Sequence, residues 1–491
     1  MVPIGPWLPD IATYNSLAAT EALNVVPSKT GFRPMAGFSA VTSAITARAQ
    51  GAISVRDLSG AIHNFCGDAT KLYKMATDGL SWNDVSRLAG GAYAVASDGW
   101  WEFSQFGNTL MADNGTDAAQ TFTLGTSANF AALGGSSPIA SFAGTIRGFA
   151  VKCRVANAHN RVQWCGIEDP TTWVASATTL SDAQDLPDGG AIMGFVGGEY
   201  GIVFQERAIQ RMSFEGPPTA FRFDKIVNTL GVRAERSIAA YDNLAFFLSN
   251  DGFYMIRGGI ELVPIGDEKV DRWIESNFDA SYPYRISSAI DPVRKLYVMG
   301  FASTSAVSGA PDSLIVYHWP TGQWARAAVT HQIVYTAATQ ATYTIDGLDA
   351  ASATIDALPF PVDSRVWAGS GRLLLAGFNG SRLQGFFDGS NLAPTVETGD
   401  AQFAPGQKSL LRSLRPMIEG NSVTPSVVIR YRNRLQDSMN DKASVAANSD
   451  GRCPVRVKAR YHRARITVPA ASDWSFITGI DELKFTPMGQ R

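Results

Sequence analysis

Reactive side chains are scarce in this 491-residue chain. Its four cysteines (Cys66, Cys153, Cys165, Cys453) contain no CxxC pair and no regular spacing. That argues against a disulfide framework or a zinc site and for buried free thiols. Five histidines (His63, His159, His318, His331, His462) are scattered, none with a second His or a Cys at ligand spacing. No metal or cofactor is expected. The motifs GxSxG, HExxH, GxxxxGKS/T and GxGxxG are all absent, which removes the commonest hydrolase, metalloprotease and nucleotide-binding signatures. The sialidase Asp box SxDxGxxW is only begun, at Ser249-Asn250-Asp251-Gly252 and at Asp98-Gly99-Trp100; both read better as turns. The sequence singles out no acid pair for glycoside chemistry, and the chain reads as a non-enzyme.

No run of about 18 apolar residues occurs, so no membrane-spanning helix is expected. The start, MVPIGPWLPD, has no basic stretch and no apolar segment, which predicts a protein made in the cytoplasm that stays soluble or is carried inside a particle. Helical patterning is rare. In GDEKVDRWIESNF, Val270, Ile274 and Phe278 recur at helical spacing behind Glu268 and Asp271, which predicts one short surface helix.

Glycine and aromatics are abundant: 46 Gly, 26 Phe, 14 Tyr and 11 Trp against 18% charged residues, a composition for many short strands joined by tight turns. Turn pairs punctuate the chain at Ser59-Gly60, Asp78-Gly79, Asp98-Gly99, Asn114-Gly115, Asp251-Gly252, Gly258-Gly259, Thr321-Gly322, Asn379-Gly380 and Asp388-Gly389. Such pairs suit hairpin tips because their backbones need positive φ. A loose unit of apolar strand, turn and aromatic-rich strand recurs from ISVRDLSGAIHNF to RLLLAGFNGSRLQGFFDG. Its spacing, roughly 40 to 55 residues with one larger gap, is the length of a four-stranded propeller blade. The reading is therefore an all-β chain: an N-terminal arm over 1–50, a β-propeller over 51–399, and a C-terminal β domain over 400–491. Six blades are expected, or seven, depending on whether the first and last fragments complete a shared blade.

Two stretches break the pattern. Residues 327–363 contain no Lys or Arg but four acids, including Asp346, Asp349 and Asp356, and read as an inserted loop or subdomain. Residues 401–491 carry 15 basic and 7 acidic residues, a net of 15 − 7 = +8, whereas residues 1–400 sum to 27 − 37 = −10. In VVIRYRNR, Arg430, Arg432 and Arg434 alternate on one strand face; in VRVKARYHRARI, Arg456, Lys458, Arg460 and His462 do the same, and then the phase slips by one at Arg463 and Arg465. A one-residue slip swaps faces, so a bulge or a change of sheet is expected there. The plain reading is a solvated basic face. The excess of Arg, whose fork suits phosphate and carboxylate, favours an interface with an adaptor, a neighbouring subunit or DNA.

The opening NVVPSKTGFRPMAGFSAV, through Asn24, Pro27, Gly31, Phe32, Arg33, Pro34 and Gly37, resembles the start of the tail nozzle proteins of short-tailed bacteriophages, also called packaged-DNA stabilisation or tail tubular B proteins. NRVQWCGIEDPTTW, with Asp169, Pro170 and Trp173, resembles that family too, as do TIDGLDAASATIDALPFPVDSRVWAGS and LLRSLRPMIEG. The resemblance implies a virion protein of the phage tail: a propeller with extra β domains, assembled as a homo-hexamer ring below the dodecameric head-to-tail adaptor. It implies that the ring continues the channel for double-stranded DNA, retains the genome and lets it exit on infection, with tail fibres or spikes as further partners. A conduit should not grip phosphates, so Asp346, Asp349 and Asp356 are the candidate constriction. The rival reading is a glycan-binding or glycan-cleaving propeller for host recognition, with Trp100-Trp101-Glu102-Phe103 as its aromatic platform.

Overall fold

The computed structural model describes residues 2–14, 16–339, 352, 354–358, 367 and 371–489. Among these, strands dominate and the one α-helix is Asp271–Asn277. Seven four-stranded antiparallel units follow one another: 52–84, 102–132, 140–185, 192–227, 239–264, 287–328 and 333–386 completed by 39–44. They are blades one to seven of a propeller. Neighbouring blades share apolar cores all the way round. Phe65 and Phe122 join blades one and two, Met111 and Cys165 two and three, Phe149 and Met212 three and four, and Phe204 and Phe247 four and five. Phe246 and Tyr297 join five and six, Val298 and Leu375 six and seven, and Phe378 and Tyr73 close seven on one. A blade has two apolar faces and is stable only when both are covered.

The expected count of six is corrected to seven. Blade seven takes its inner three strands from 333–386 and its outer strand from Ser39–Ala44, in the register Leu383↔Ala44 and Phe386↔Ser39. The first and last fragments thus make one complete blade in addition to six others. Most of the Gly turn pairs sit between paired strands; Asp98-Gly99 and Asp388-Gly389 instead lie where the chain leaves one sheet for the next.

The C-terminal region is not separate, and the arm is not confined to leading into blade one. Residues 2–34 and 395–487 build a two-sheet unit together. One sheet continues blade six: its outer strand Gln323–Ala328 pairs in parallel with Glu21–Leu23, followed by Thr395–Glu397, Tyr461–Thr467, Ser426–Arg432 and Asn440–Asp441. The other orders Val25–Ser28, Gly31–Pro34, Trp474–Pro487, Ser409–Gly420 and Val457–Ala459. Between them Leu411, Leu414, Val427, Ile429, Ile466, Trp474 and Ile477 are buried. Covering the outer edge of blade six with another strand removes an exposed ladder that would otherwise invite aggregation.

The residues that carry the family resemblance do structural work at this junction. Asn24, at φ 59°, donates from Nδ2 to the Ala393 carbonyl (2.9 Å) and accepts from the Ala328 amide (2.9 Å). Gly31, at φ 147°, lies against the Ile477 carbonyl with no room for a Cβ. Farther on, Asp169 closes its loop on Thr171 and Thr172, and Trp173 is buried with its indole over Lys152.

The one short helix lies where the spacing places it: Val270, Ile274 and Phe278 are buried in the largest core, while Arg272, Glu275 and Ser276 face solvent. Its first turn is held by Asp10 of the arm, whose carboxylate accepts from the amides of Arg272 (2.7 Å) and Trp273 (2.9 Å).

Candidate functional site

The first strand of each blade, Ala52–Arg56, Glu102–Phe106, Ala140–Ile146, Ile192–Val196, Ala239–Tyr241, Ser287–Asp291 and Ile333–Ala338, lines a cavity of about 210 Å³ on the propeller axis. Toward the face where these strands enter, it widens into a mouth of about 430 Å³. The segments feeding the strands carry the charge there. Arg236 pairs with Glu102, and its guanidinium lies 5.0 Å from the Trp100 ring centre and 5.1 Å from that of Phe142. Arg154 pairs with Glu235, and Arg233 with Glu275. Burial pushes Glu102 up, and the Arg236 charge opposes the shift. At the rim Arg48 donates to the Ser97 carbonyl (2.7 Å); burial, then the like charge of Arg285, push it down to about 10.

This site was not found from the sequence. Its signal is positional: Arg48, Arg233, Arg236 and Arg285 each sit within seven residues before the first strand of a blade, which an alignment of blade entries would bring out. The Trp100–Phe103 run is divided. Trp101 is buried, donating from Nε1 to the Asp68 carbonyl (2.8 Å), whereas Trp100 is half-buried at the mouth. Phe103 is half-buried on the axial cavity, so the run does not present its rings on one exposed surface.

The eight candidate basic residues, Arg430, Arg432, Arg434, Arg456, Lys458, Arg460, Arg463 and Arg465, do not share one face. The chain changes sheet between Val457–Ala459 and Tyr461–Thr467. Arg430, Arg432, Arg463 and Arg465 lie together on adjacent strands and close on two carboxylates, Glu397 and Asp400, whose side chains are at most 2% exposed. Arg463 reaches Asp400 (2.9 Å) and Glu397 (3.4 Å), Arg465 reaches Glu397 (2.8 Å), and Arg430 spans Glu397 (3.2 Å) and Asp441 (2.8 Å). Arg432 and Thr13 also bind Asp400. Burial would raise the Asp400 carboxyl; hydrogen bonds from Arg463, Thr13 and Arg432 outweigh it and hold the group below the usual range. These four arginines are therefore largely neutralised from within. Spacing within the strands carries no sign of this, because Glu397 ends a separate strand and Asp400 lies just beyond it, and only folding brings them alongside.

The remaining four are elsewhere. Arg434 is exposed in a turn beyond its strand, Arg456 and Lys458 are exposed around the edge strand Val457–Ala459, and half-buried Arg460 reaches the Gly406 carbonyl (3.4 Å).

The acid-rich segment begins later than expected. Residues up to Ala328 finish blade six, and Ile333–Ala338 is the axial strand of blade seven. The insertion accordingly falls between the first and second strands of blade seven, Ile333–Ala338 and Leu373–Phe378. Asp356 lies exposed in the turn Ile355–Ala357; Asp346 and Asp349 lie outside the described residues. All four cysteines are buried and unpaired, and no group of acids, His and Cys able to hold a metal occurs among the described residues. Among the described residues no helix is long and apolar enough to cross a membrane.

No family model matches the sequence, and no curated protein matches it. Among solved structures, the chain is similar to the extracellular domain of a B. thetaiotaomicron hybrid two-component system (TM-score 0.40, 10% identity), covering 83% of this chain and 47% of that one. It is also similar to BBS1N in complex with ARL6DN (TM-score 0.40, 7% identity, 72% and 96% covered). A third is YCF48 bound to a D1 peptide (TM-score 0.35, 11% identity, 59% and 84% covered). The propeller rests on its seven sheets and the cores between them.

Proposed function

We propose that this chain is a structural subunit of the tail nozzle of a short-tailed phage, a ring of six copies below the head-to-tail adaptor. The observation that carries the reading is the ten-stranded sheet that runs without interruption from blade six into the C-terminal unit. It fixes propeller and sandwich as one rigid subunit, which head-to-tail ring contacts need if the rotation is to close. The reading also draws on the resemblance through Asn24, Gly31 and Asp169, residues with defined structural work at junctions and loops.

The propeller axis cannot be the DNA path. Its cavity of about 210 Å³ is far too small for a duplex whose major groove alone is ~12 Å wide. On this reading the conduit lies between copies. The insertion with Asp346, Asp349 and Asp356 is the constriction, repelling phosphates, and Arg434, Arg456, Lys458 and Arg460 face the adaptor or the next subunit. DNA passes without sequence-specific binding.

Mass measurement of the purified chain, alone and with a dodecameric head-to-tail adaptor, tests this. Six copies are expected to add to one dodecameric adaptor, and imaging of the complex should show the insertion at the lumen. A chain that never joins the adaptor, or hydrolyses glycans at micromolar concentration, sinks the reading.

A further inference from the structure

We infer that the mouth of the propeller axis is a binding site for a compact oxyanion, a phosphate or a small polycarboxylate, held by arginines from separate blades. This goes beyond ring assembly and does not depend on it.

Three arginines line the mouth, Arg154 in blade three and Arg233 and Arg236 before blade five; two more stand at its rim, Arg285 before blade six, next to the lining residue Tyr284, and Arg48 before blade one, which donates to the Ser97 carbonyl (2.7 Å) beside the lining residue Asp98. Three have carboxylate partners in Glu235, Glu275 and Glu102. Arg48 and Arg285 have no ion pair among the described residues, yet they stand close enough for the charge of one to disfavour that of the other. Two like charges partly withdrawn from water are costly unless an anion bridges them. Asp98, on the cavity wall, is the one lining carboxylate with no ion pair among the described residues, and it leaves the mouth with a net charge of 5 − 4 = +1.

The mouth can hold such a ligand. At about 430 Å³ it matches the lower end of small-molecule clefts, and the Ser141 and Thr116 side chains add hydroxyls to the wall. The guanidinium forks are preset: Arg236 is pinned between Trp100 and Phe142 and Arg285 stands 5.7 Å from the Tyr284 ring centre. A planar fork held before the ligand arrives loses little entropy on binding an oxyanion.

Calorimetric titration of the full chain with inorganic phosphate and, separately, with citrate tests the site. Arg48→Gln and Arg285→Gln strand no carboxylate, so both variants should melt like the parent. Each is expected to weaken binding about ten- to hundredfold, the loss of one charge-assisted hydrogen bond. Arg434→Gln, in the distant C-terminal unit, should bind as the parent does. Phosphate binding alone indicates a tetrahedral anion, citrate binding alone a carboxylate ligand, and either supports the site. No binding of either probe at millimolar concentration, or equal loss with Arg434→Gln, overturns it.

Discussion

Arg326 and Glu21 meet fork to fork, Nε to Oε1 at 2.7 Å and Nη2 to Oε2 at 2.7 Å, across the seam where the propeller becomes the C-terminal unit. Arg326 lies on the outer strand of blade six and Glu21 on the added strand, with Leu23 registered opposite Arg326. Both side chains are about a quarter exposed, so the pair is screened but geometrically favourable. Glu21→Gln is expected to cost about 1 kcal/mol and to speed amide exchange in 21–28 before the blades open. Uniform exchange across the whole chain would show that the seam is not a separate unit.

Lys152 and Asp113 form the deepest ion pair, 2.8 Å apart with side chains at most 1% exposed. Lys152 also donates to Ser137 Oγ (2.7 Å) and the Pro138 carbonyl (3.3 Å), tying blade three to blade two. Burial pushes Asp113 up, against the pull of Lys152. Lys152→Met should destabilise by about 3–5 kcal/mol because it strands a buried carboxylate. The double variant Lys152→Met/Asp113→Leu should recover most of that in urea unfolding. A double variant as weak as the single would mean that packing, not charge, dominates.

Two buried histidines set the acid limit. Burial pushes His331 and His462 down to about 4. Their folded values lie below the unfolded value near 6.5, so their contribution is complete above pH 6.5 and is lost as the pH falls toward 4. Each is worth on the order of 3 kcal/mol by this linkage. Melting temperature should therefore fall steeply across that window, and less steeply in His331→Gln. An unchanged slope would refute the assignment.

Asp271 works with the opposite sign. Burial, only partly offset by the Phe253 amide, pushes it up to about 6, with Asp10 and Asp267 adding to the rise. Its folded value is above the unfolded one, so its charge weakens the fold progressively as pH rises from about 4 through 6. Asp271→Asn, which keeps an acceptor for that amide, should raise the melting temperature at pH 8 and lose the advantage below pH 5. A gain of equal size at both pH values would contradict this.

Asp400 organises the inward arginines. Asp400→Asn weakens the links to Arg432, Arg463 and Thr13 together and should cost about 2–4 kcal/mol. Arg434→Gln with Arg456→Gln should leave stability unchanged and, on the nozzle reading, weaken adaptor binding. Urea unfolding and sedimentation with the adaptor separate the two effects. Equal destabilisation by both changes would mean that the outer arginines are structural as well.

The blade length, the hairpin tips and the all-β character were legible in the chain because turn chemistry and strand alternation act within a few residues. The phase slip read at Arg463 pointed to a break in this region, but the change of sheet falls earlier, at Arg460, and Tyr461–Thr467 runs through His462 and Arg463 in unbroken register. What the sequence could not decide lies in pairings between distant segments. Ser39–Ala44 becomes the outer strand of the last blade because only there does an open sheet edge await it. Four arginines turn inward because folding sets Glu397 and Asp400 beside them. The arginine-rich mouth exists only once segments from four blades meet on a single axis.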